Sequence, residues 1–259
     1  MPTVSPHIAT AVTTTSKRFH WLLAALLLQL IASPFVVGAI GAVIQDLLFL
    51  GILLAALGIA GKSLLNNVNC VLTGCCAFIV VIKYTIGFLY VDIVGDFLVA
   101  SVILFTAVEV SQYLSRQRRV DLDTVLGGLC VYMFIGAMWY VLYSLVVRIN
   151  PAAFDFTVHG HNLSDQEQDR LLFFFSYVSL LTTGYGDIVP ISPVARTLSV
   201  LEGIAGQFYM VFFMARLVGL HVAEKERSLP AKTLPESPPQ HPSTATPAHR
   251  QAAPAPPET

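Results

Sequence analysis

Charge is scarce in this 259-residue chain. Only 12% of its residues are Asp, Glu, Lys or Arg, about half the share of an ordinary soluble domain. Basic residues are confined to short stretches, so no basic face exists for nucleic acid. Four cysteines, Cys70, Cys75, Cys76 and Cys130, stand in apolar surroundings. They lack the paired spacing of a zinc site or a secreted disulfide framework and read as buried, unreactive thiols. No internal repeat and no constellation of acid, base and nucleophile is present, so neither enzyme chemistry nor a bound cofactor is expected.

What the chain has instead is apolar length. It is 55% hydrophobic with a mean hydropathy of +0.68, and its apolar residues lie in blocks suited to about 30 Å of hydrocarbon. Six such stretches are legible: Trp21–Ile44, Asp46–Ala60, Cys70–Tyr90, Gly95–Leu114, Thr124–Val147 and Pro193–Val222. The first follows Lys17 and Arg18 and contains Ala32-Ser33-Pro34, a faint signal-peptide pattern. Its apolar run continues to Ile44, longer than a signal sequence carries, so an uncleaved helix kinked at Pro34 is expected. The fold class is all-α, a membrane protein of six transmembrane helices.

Lysine and arginine orient it. Lys17 and Arg18, Lys62, Arg116 with Arg118 and Arg119, and Lys225, Arg227 and Lys232 mark alternate connections. The connections expected near Gly41–Gln45 and Val91–Asp96 contain no Lys or Arg. Both termini are therefore expected to be cytoplasmic. Residues 1–19 read as a disordered leader, 20–119 as a four-helix region, 120–223 as a second module and 224–259 as a disordered tail. The tail from Ser228 holds nine of the fifteen prolines, a composition that cannot pack a core, so no folded sensor domain is expected there.

Between the last two spans, Arg148–Pro190 carries the informative chemistry. Ser164 and Glu167 form an S-x-x-E capping box, and Asp165 and Asp169 suit the positive end of a helix. The run Leu171–Leu181 continues that helix without the length to span, so it enters from outside and stops at mid-depth. Irregular backbone at that depth must be buried in protein or line a water-filled path. Residues 182–187, Thr-Thr-Gly-Tyr-Gly-Asp, are such backbone.

This hexapeptide resembles the signature of the potassium channel pore family, commonly Thr-Val-Gly-Tyr-Gly-Asp. The resemblance implies that four copies of Thr182, Thr183, Gly184, Tyr185, Gly186 and Asp187 make a selectivity filter. In it, carbonyls of residues 182–185 and the Thr182 hydroxyl replace the water shell of K+. Gly184 and Gly186 permit the dihedrals this requires. The resemblance further implies that Phe174 and Phe175 surround the Tyr185 ring, and that Gly206 is a hinge in the inner helix. Val120–Tyr132 and Leu201–Tyr209 extend the likeness to a bacterial subfamily with four helices ahead of a two-helix pore module. Residues 120–222 match well, and residues 1–119 match only in span count and hydropathy.

Function as a potassium-selective channel subunit follows, with the chain itself as homotetrameric partner, the bilayer as solvent and K+ as permeant ligand. A weakly selective cation channel, or a transporter or scaffold subunit coupling ion binding to a partner, are the alternatives. Voltage gating by an arginine-rich fourth helix is not expected, because Gly95–Leu114 has no Lys or Arg and each gating charge yields only about 2.3 kcal/mol per 100 mV. Lys83 and Glu109, inside the third and fourth spans, are candidates for an intramembrane pair despite a depth difference of roughly 11 Å. Glu202 is expected to brace the pore helix, since a carboxyl at that depth needs a partner. From Gly206, the residues Gln207, Met210, Met214 and Val218 recur at helical spacing and are expected to line the cavity and gate. His159 and His161 lack a third metal ligand, and Asn162-Leu-Ser164 is a glycosylation sequon.

Overall fold

The computed structural model describes residues 18–35, 38–60, 64–86, 89–117, 121–160 and 163–228. Lys17, Lys62, Arg118, Arg119, Lys232, His161, Asn162, the leader and the tail beyond Ser228 lie outside the described residues. The elements in order are α1 (Arg18–Ala32), α2 (Gly38–Ala60), α3 (Leu64–Ile86), α4 (Leu89–Arg116), α5 (Leu122–Ile149), β1 (Phe154–Asp155), α6 (Asp165–Leu180), β2 (Val189–Pro190) and α7 (Pro193–Ser228).

Among the described residues, four helical stretches are long and apolar enough to cross a membrane: Leu65–Lys83, Val91–Arg116, Leu122–Ile149 and Pro193–Ala223. Phe19–Ala32 and Val43–Gly58 are shorter apolar stretches. The expected first span is divided. Its helix stops at Ala32, Ser33–Phe35 form a turn, and α2 starts at Gly38. Proline at position 34 cannot donate a helical N–H and disfavours helix in the residue before it, so the chain breaks here instead of kinking. Gly41–Gln45 and Val91–Asp96, expected as connections, lie inside α2 and α4. Asp46, Asp92 and Asp96 thus sit within helices, where apolar length outweighs single charges. At the other end, α7 continues five residues past the expected boundary at 223 to Ser228.

The main core joins α1 to α5 and includes Phe19, Leu22, Leu53, Val102, Ile103, Val110, Cys130 and Phe134. A second cluster, Tyr143, Phe154, Phe156, Leu172, Phe175, Ile188 and Ala195, packs the C-terminal end of α5 behind α6. There β1 and β2 pair antiparallel, Phe154 opposite Pro190 and Asp155 opposite Val189. This clasp ties the loop before α6 to the chain leaving residues 182–187. At the opposite end, Arg216 of α7 donates to the Leu114 carbonyl, and to that of Gln117 at 3.5 Å. It thereby caps the C-terminus of α4 with a cation, as the helix dipole favours.

Lys83 and Glu109 do not meet. Lys83 pairs with Asp46 at 3.4 Å, while Glu109 accepts from Asn69 Nδ2 at 3.2 Å. Asn69 also donates to Thr106 Oγ1 at 3.0 Å. Each charge has another partner, so the expected pair does not form.

Candidate functional site: α6 and the 182–187 turn

The capping box expected at the start of α6 forms. Ser164 Oγ accepts from the Glu167 amide at 3.4 Å, and Glu167 Oε2 accepts from the Ser164 amide at 2.8 Å. These donors hold the Glu167 carboxyl below its ordinary pKa. Asp169 does more than suit the helix dipole. It accepts from Ser144 Oγ at 2.9 Å and from Arg148 at 3.4 Å. Arg148 also binds Asp96 of α4 at 2.6 Å, so one guanidinium links α4, α5 and α6. Sequence reasoning passed over Arg148. Its signal was a lone arginine at the end of a span that the sequence reading puts outside, where the positive-inside tendency disfavours it.

The other end of α6 hands the chain to the turn. Leu181 N–H bonds Tyr177 O at 3.0 Å, Thr182 N–H bonds Ser179 O at 2.9 Å, and Thr183 N–H bonds Val178 O at 2.9 Å. The Leu180 carbonyl accepts from Tyr132 OH at 3.0 Å. Thr182, Gly184 and Gly186 then have φ of 57°, 58° and 77°. Positive φ at every second residue alternates the hand of the backbone, which turns successive peptide groups to a common side. Among the described residues Thr182 is the one non-glycine with positive φ, a strained state for a β-branched residue. Strain of this kind gathers where backbone geometry has a task. Residues 181–186 are all exposed on the single chain.

Of the residues expected to surround Tyr185, the structure brings one. The Phe174 ring stacks on Tyr185 with centroids 6.1 Å apart and planes 2° apart. Phe175, one residue on, is on another face of the helix and packs edge-on against Tyr143 and Phe154, each at 5.3 Å. Consecutive helical positions differ by about 100°, so both rings cannot serve one neighbour.

Glu202 is fully buried. Its Oε2 accepts from Tyr143 OH at 2.6 Å, and its Oε1 lies 2.8 Å from Ser176 Oγ. Ser176 Oγ is also 2.6 Å from the Gly136 carbonyl. One carboxyl thus joins α5, α6 and α7 behind the turn. Tyr143 and Ser176 read in sequence only as an aromatic and a small residue in apolar runs.

Gly206 lies within an unbroken α7. A Cβ there would stand 2.7 Å from the Leu180 carbonyl, so the glycine lets α7 approach the end of α6. Tyr209 donates to Gly128 O at 2.6 Å, and Arg216 reaches the end of α4. With Glu202 and Gly206, these define the face of α7 turned to its own chain. Gln207, Met210, Met214 and Val218 stand off that face and are exposed on the single chain. His159 falls just before the undescribed residues 161–162. Among the described residues, no three His, Cys, Asp or Glu side chains converge to hold a metal.

Residues 167–221 match a family model described as an ion channel. Over this segment the chain is similar to that ion-channel family. The match runs through α6, the Thr182–Asp187 turn and most of α7, and it supports the resemblance to potassium channel pores over that stretch. No curated protein and no solved structure matches the chain.

Proposed function

We propose that four copies of this chain surround a common axis and conduct potassium passively across a cell membrane, with α6 as a re-entrant pore helix and 182–187 as the filter. The observation that carries this reading is the positive φ at Thr182, Gly184 and Gly186 within Thr-Thr-Gly-Tyr-Gly-Asp. That backbone suits a row of carbonyls aimed at one axis, the arrangement that replaces a dehydrated cation's water. α6 has 16 residues, about 24 Å at the helical rise, too short to cross the hydrocarbon but long enough to reach its middle.

A single filter strand cannot enclose an ion, and the chain holds one copy, so closure calls for a homotetramer. The exposed apolar surface of α7 supports this. Phe208, Val211, Phe212, Met214 and Val218 are 53–70% exposed on one chain, and such a patch calls for a partner or lipid. Gln207, Met210, Met214 and Val218 line the inner path in this reading, the last two closing it by dewetting when the helices converge. Gly206 serves close packing in addition to any hinge. Voltage does not gate through α4, in which the one basic residue is Arg116 in the last turn. Both termini are cytoplasmic, the membrane is a bacterial inner membrane, and no cofactor or enzyme chemistry takes part.

Reconstitution in planar bilayers, with potassium on one side and sodium on the other, tests the reading. A reversal potential near the potassium equilibrium value supports it. A reversal near zero makes the protein a weakly selective cation channel, and silence in the presence of intact tetramers points to a transporter or scaffold subunit.

A further inference from the structure

A cavity of about 280 Å³ opens between the N-terminal helices and the pore helix, lined by residues of α1, α2, α3, α4, α5 and α6. Its chemistry is unlike the apolar core beneath it. Five aspartates face it against three basic residues, a surplus of two negative charges. The basic residues are committed: Lys83 to Asp46, Arg148 to Asp96 and Asp169, and Arg170 to Glu167 at 4.0 Å. Two acceptors on its wall are buried with no donor in reach, Gln29 Oε1 from α1 and Asp92 Oδ1 from α4. Gln29 is only 4% exposed, so bulk water does not satisfy it. Tyr140 and Phe173, packed edge to face at 5.3 Å, complete the wall.

We propose that this cavity binds a small organic cation bearing one or two primary ammonium groups. Buried acceptors without donors call for N–H groups, the surplus of carboxylates calls for positive charge, and aromatic rings accept a cation on their faces. An anion is disfavoured by the same surplus. A metal ion is disfavoured because no three ligating side chains converge among the described residues. A phospholipid amine would bring its phosphate into an acidic site, which argues for a soluble ligand. The volume is at the small end of ligand pockets, suited to a short aliphatic diamine. Because α6 contributes Asp165, Asp169 and Phe173 to the wall, occupancy would bear directly on the helix that leads into the 182–187 turn. The site itself rests on the cavity's residues and not on conduction.

Calorimetric titration of the full-length protein, in phosphatidylcholine nanodiscs at fixed potassium concentration, with 1,4-diaminobutane as the probe tests this. Saturable binding is expected, weakened tenfold or more by Asp92→Asn and by Gln29→Leu, strengthened by Gln29→Glu, and unchanged by Tyr185→Ala. The uncharged isostere 1,4-butanediol should not bind. The opposite effects expected at position 29 separate a lost ligand contact from a damaged fold. Absence of heat from the diamine in the unmodified protein means a water-filled cavity and overturns the proposal. Binding indifferent to both Asp92→Asn and Gln29→Leu, or equal binding of the diol, overturns it as well. Because calorimetry needs no current, such a failure is distinct from a failure to conduct.

Discussion

Replacing Glu202 separates two ways of holding α6. Ser176 has one hydroxyl hydrogen, yet its oxygen lies 2.6 Å from Gly136 O and 2.8 Å from Glu202 Oε1. Tyr143 already donates to Oε2. All three contacts close when Ser176 donates to Gly136 and Glu202 carries a hydrogen on Oε1. Glutamine supplies the same pattern, with its amide N–H donating to Ser176 and its carbonyl accepting from Tyr143. Glu202→Gln should therefore stay within about 1 kcal/mol of the parent, whereas Glu202→Ala takes the 2.6 Å acceptor from the buried Tyr143 hydroxyl, removes the partner of the Ser176 oxygen and opens a void. The alanine variant should cost about 3–5 kcal/mol in all. Thermal melting of the purified protein, followed by size-exclusion chromatography, ranks the three. Ion flux through vesicles reports whether the turn ahead of α7 is disturbed. Should glutamine prove as damaging as alanine, the hydrogen is not on Glu202 and the proton arrangement drawn here is wrong.

Arg148→Met leaves Asp96 and Asp169 facing each other without their shared cation. Because these side chains are 16–31% exposed, a loss of about 2 kcal/mol is expected, below the full cost of breaking a buried pair. Equal melting temperatures for Arg148→Met and parent would refute the linkage role. Gly206→Ala forces a Cβ to within 2.7 Å of the Leu180 carbonyl and should cost about 1–3 kcal/mol. Gly219→Ala, with open space around its Cβ, should be neutral or mildly stabilising in the same melt. Glu167 has a pKa lowered by its Ser164 donors, so its contribution is present above the ordinary carboxylate value. It is lost as pH falls through the lowered one. Amide exchange at the start of α6 should therefore rise on acidification below that range in the parent and show no such component in Glu167→Gln, which has no carboxyl to titrate. Cysteines at Gln207, Met210, Met214 and Val218 should react with a cytoplasmic thiol reagent and block current. Reaction at Phe212 or Leu217 cysteines with those four unmodified would place the pore on another face.

Much of the candidate site was written locally. The capping box needs only Ser164 and Glu167 three residues apart, and the 182–187 turn needs glycines at 184 and 186, so neither waits for distant contacts. The apolar lengths of α5 and α7 likewise follow from composition. Where competing local signals met, sequence reasoning misplaced the boundary. Pro34 broke the first apolar stretch, and the aspartates at 46, 92 and 96 suggested ends that helix continuity overrode.

Pairing across elements was decided only by tertiary structure. A buried charge takes whichever partner packing brings within reach, so Lys83 chose Asp46, Glu109 chose Asn69, and Arg148 joined Asp96 to Asp169. The same holds for the division of Phe174 and Phe175 between the turn and the outer cluster, and for Gly206, whose need to be small comes from the Leu180 carbonyl 26 positions earlier. Periodicity along a helix tells which residues share a face. Which neighbour that face meets depends on how the helices pack, and hydrogen bonds and ion pairs form only over a few ångströms.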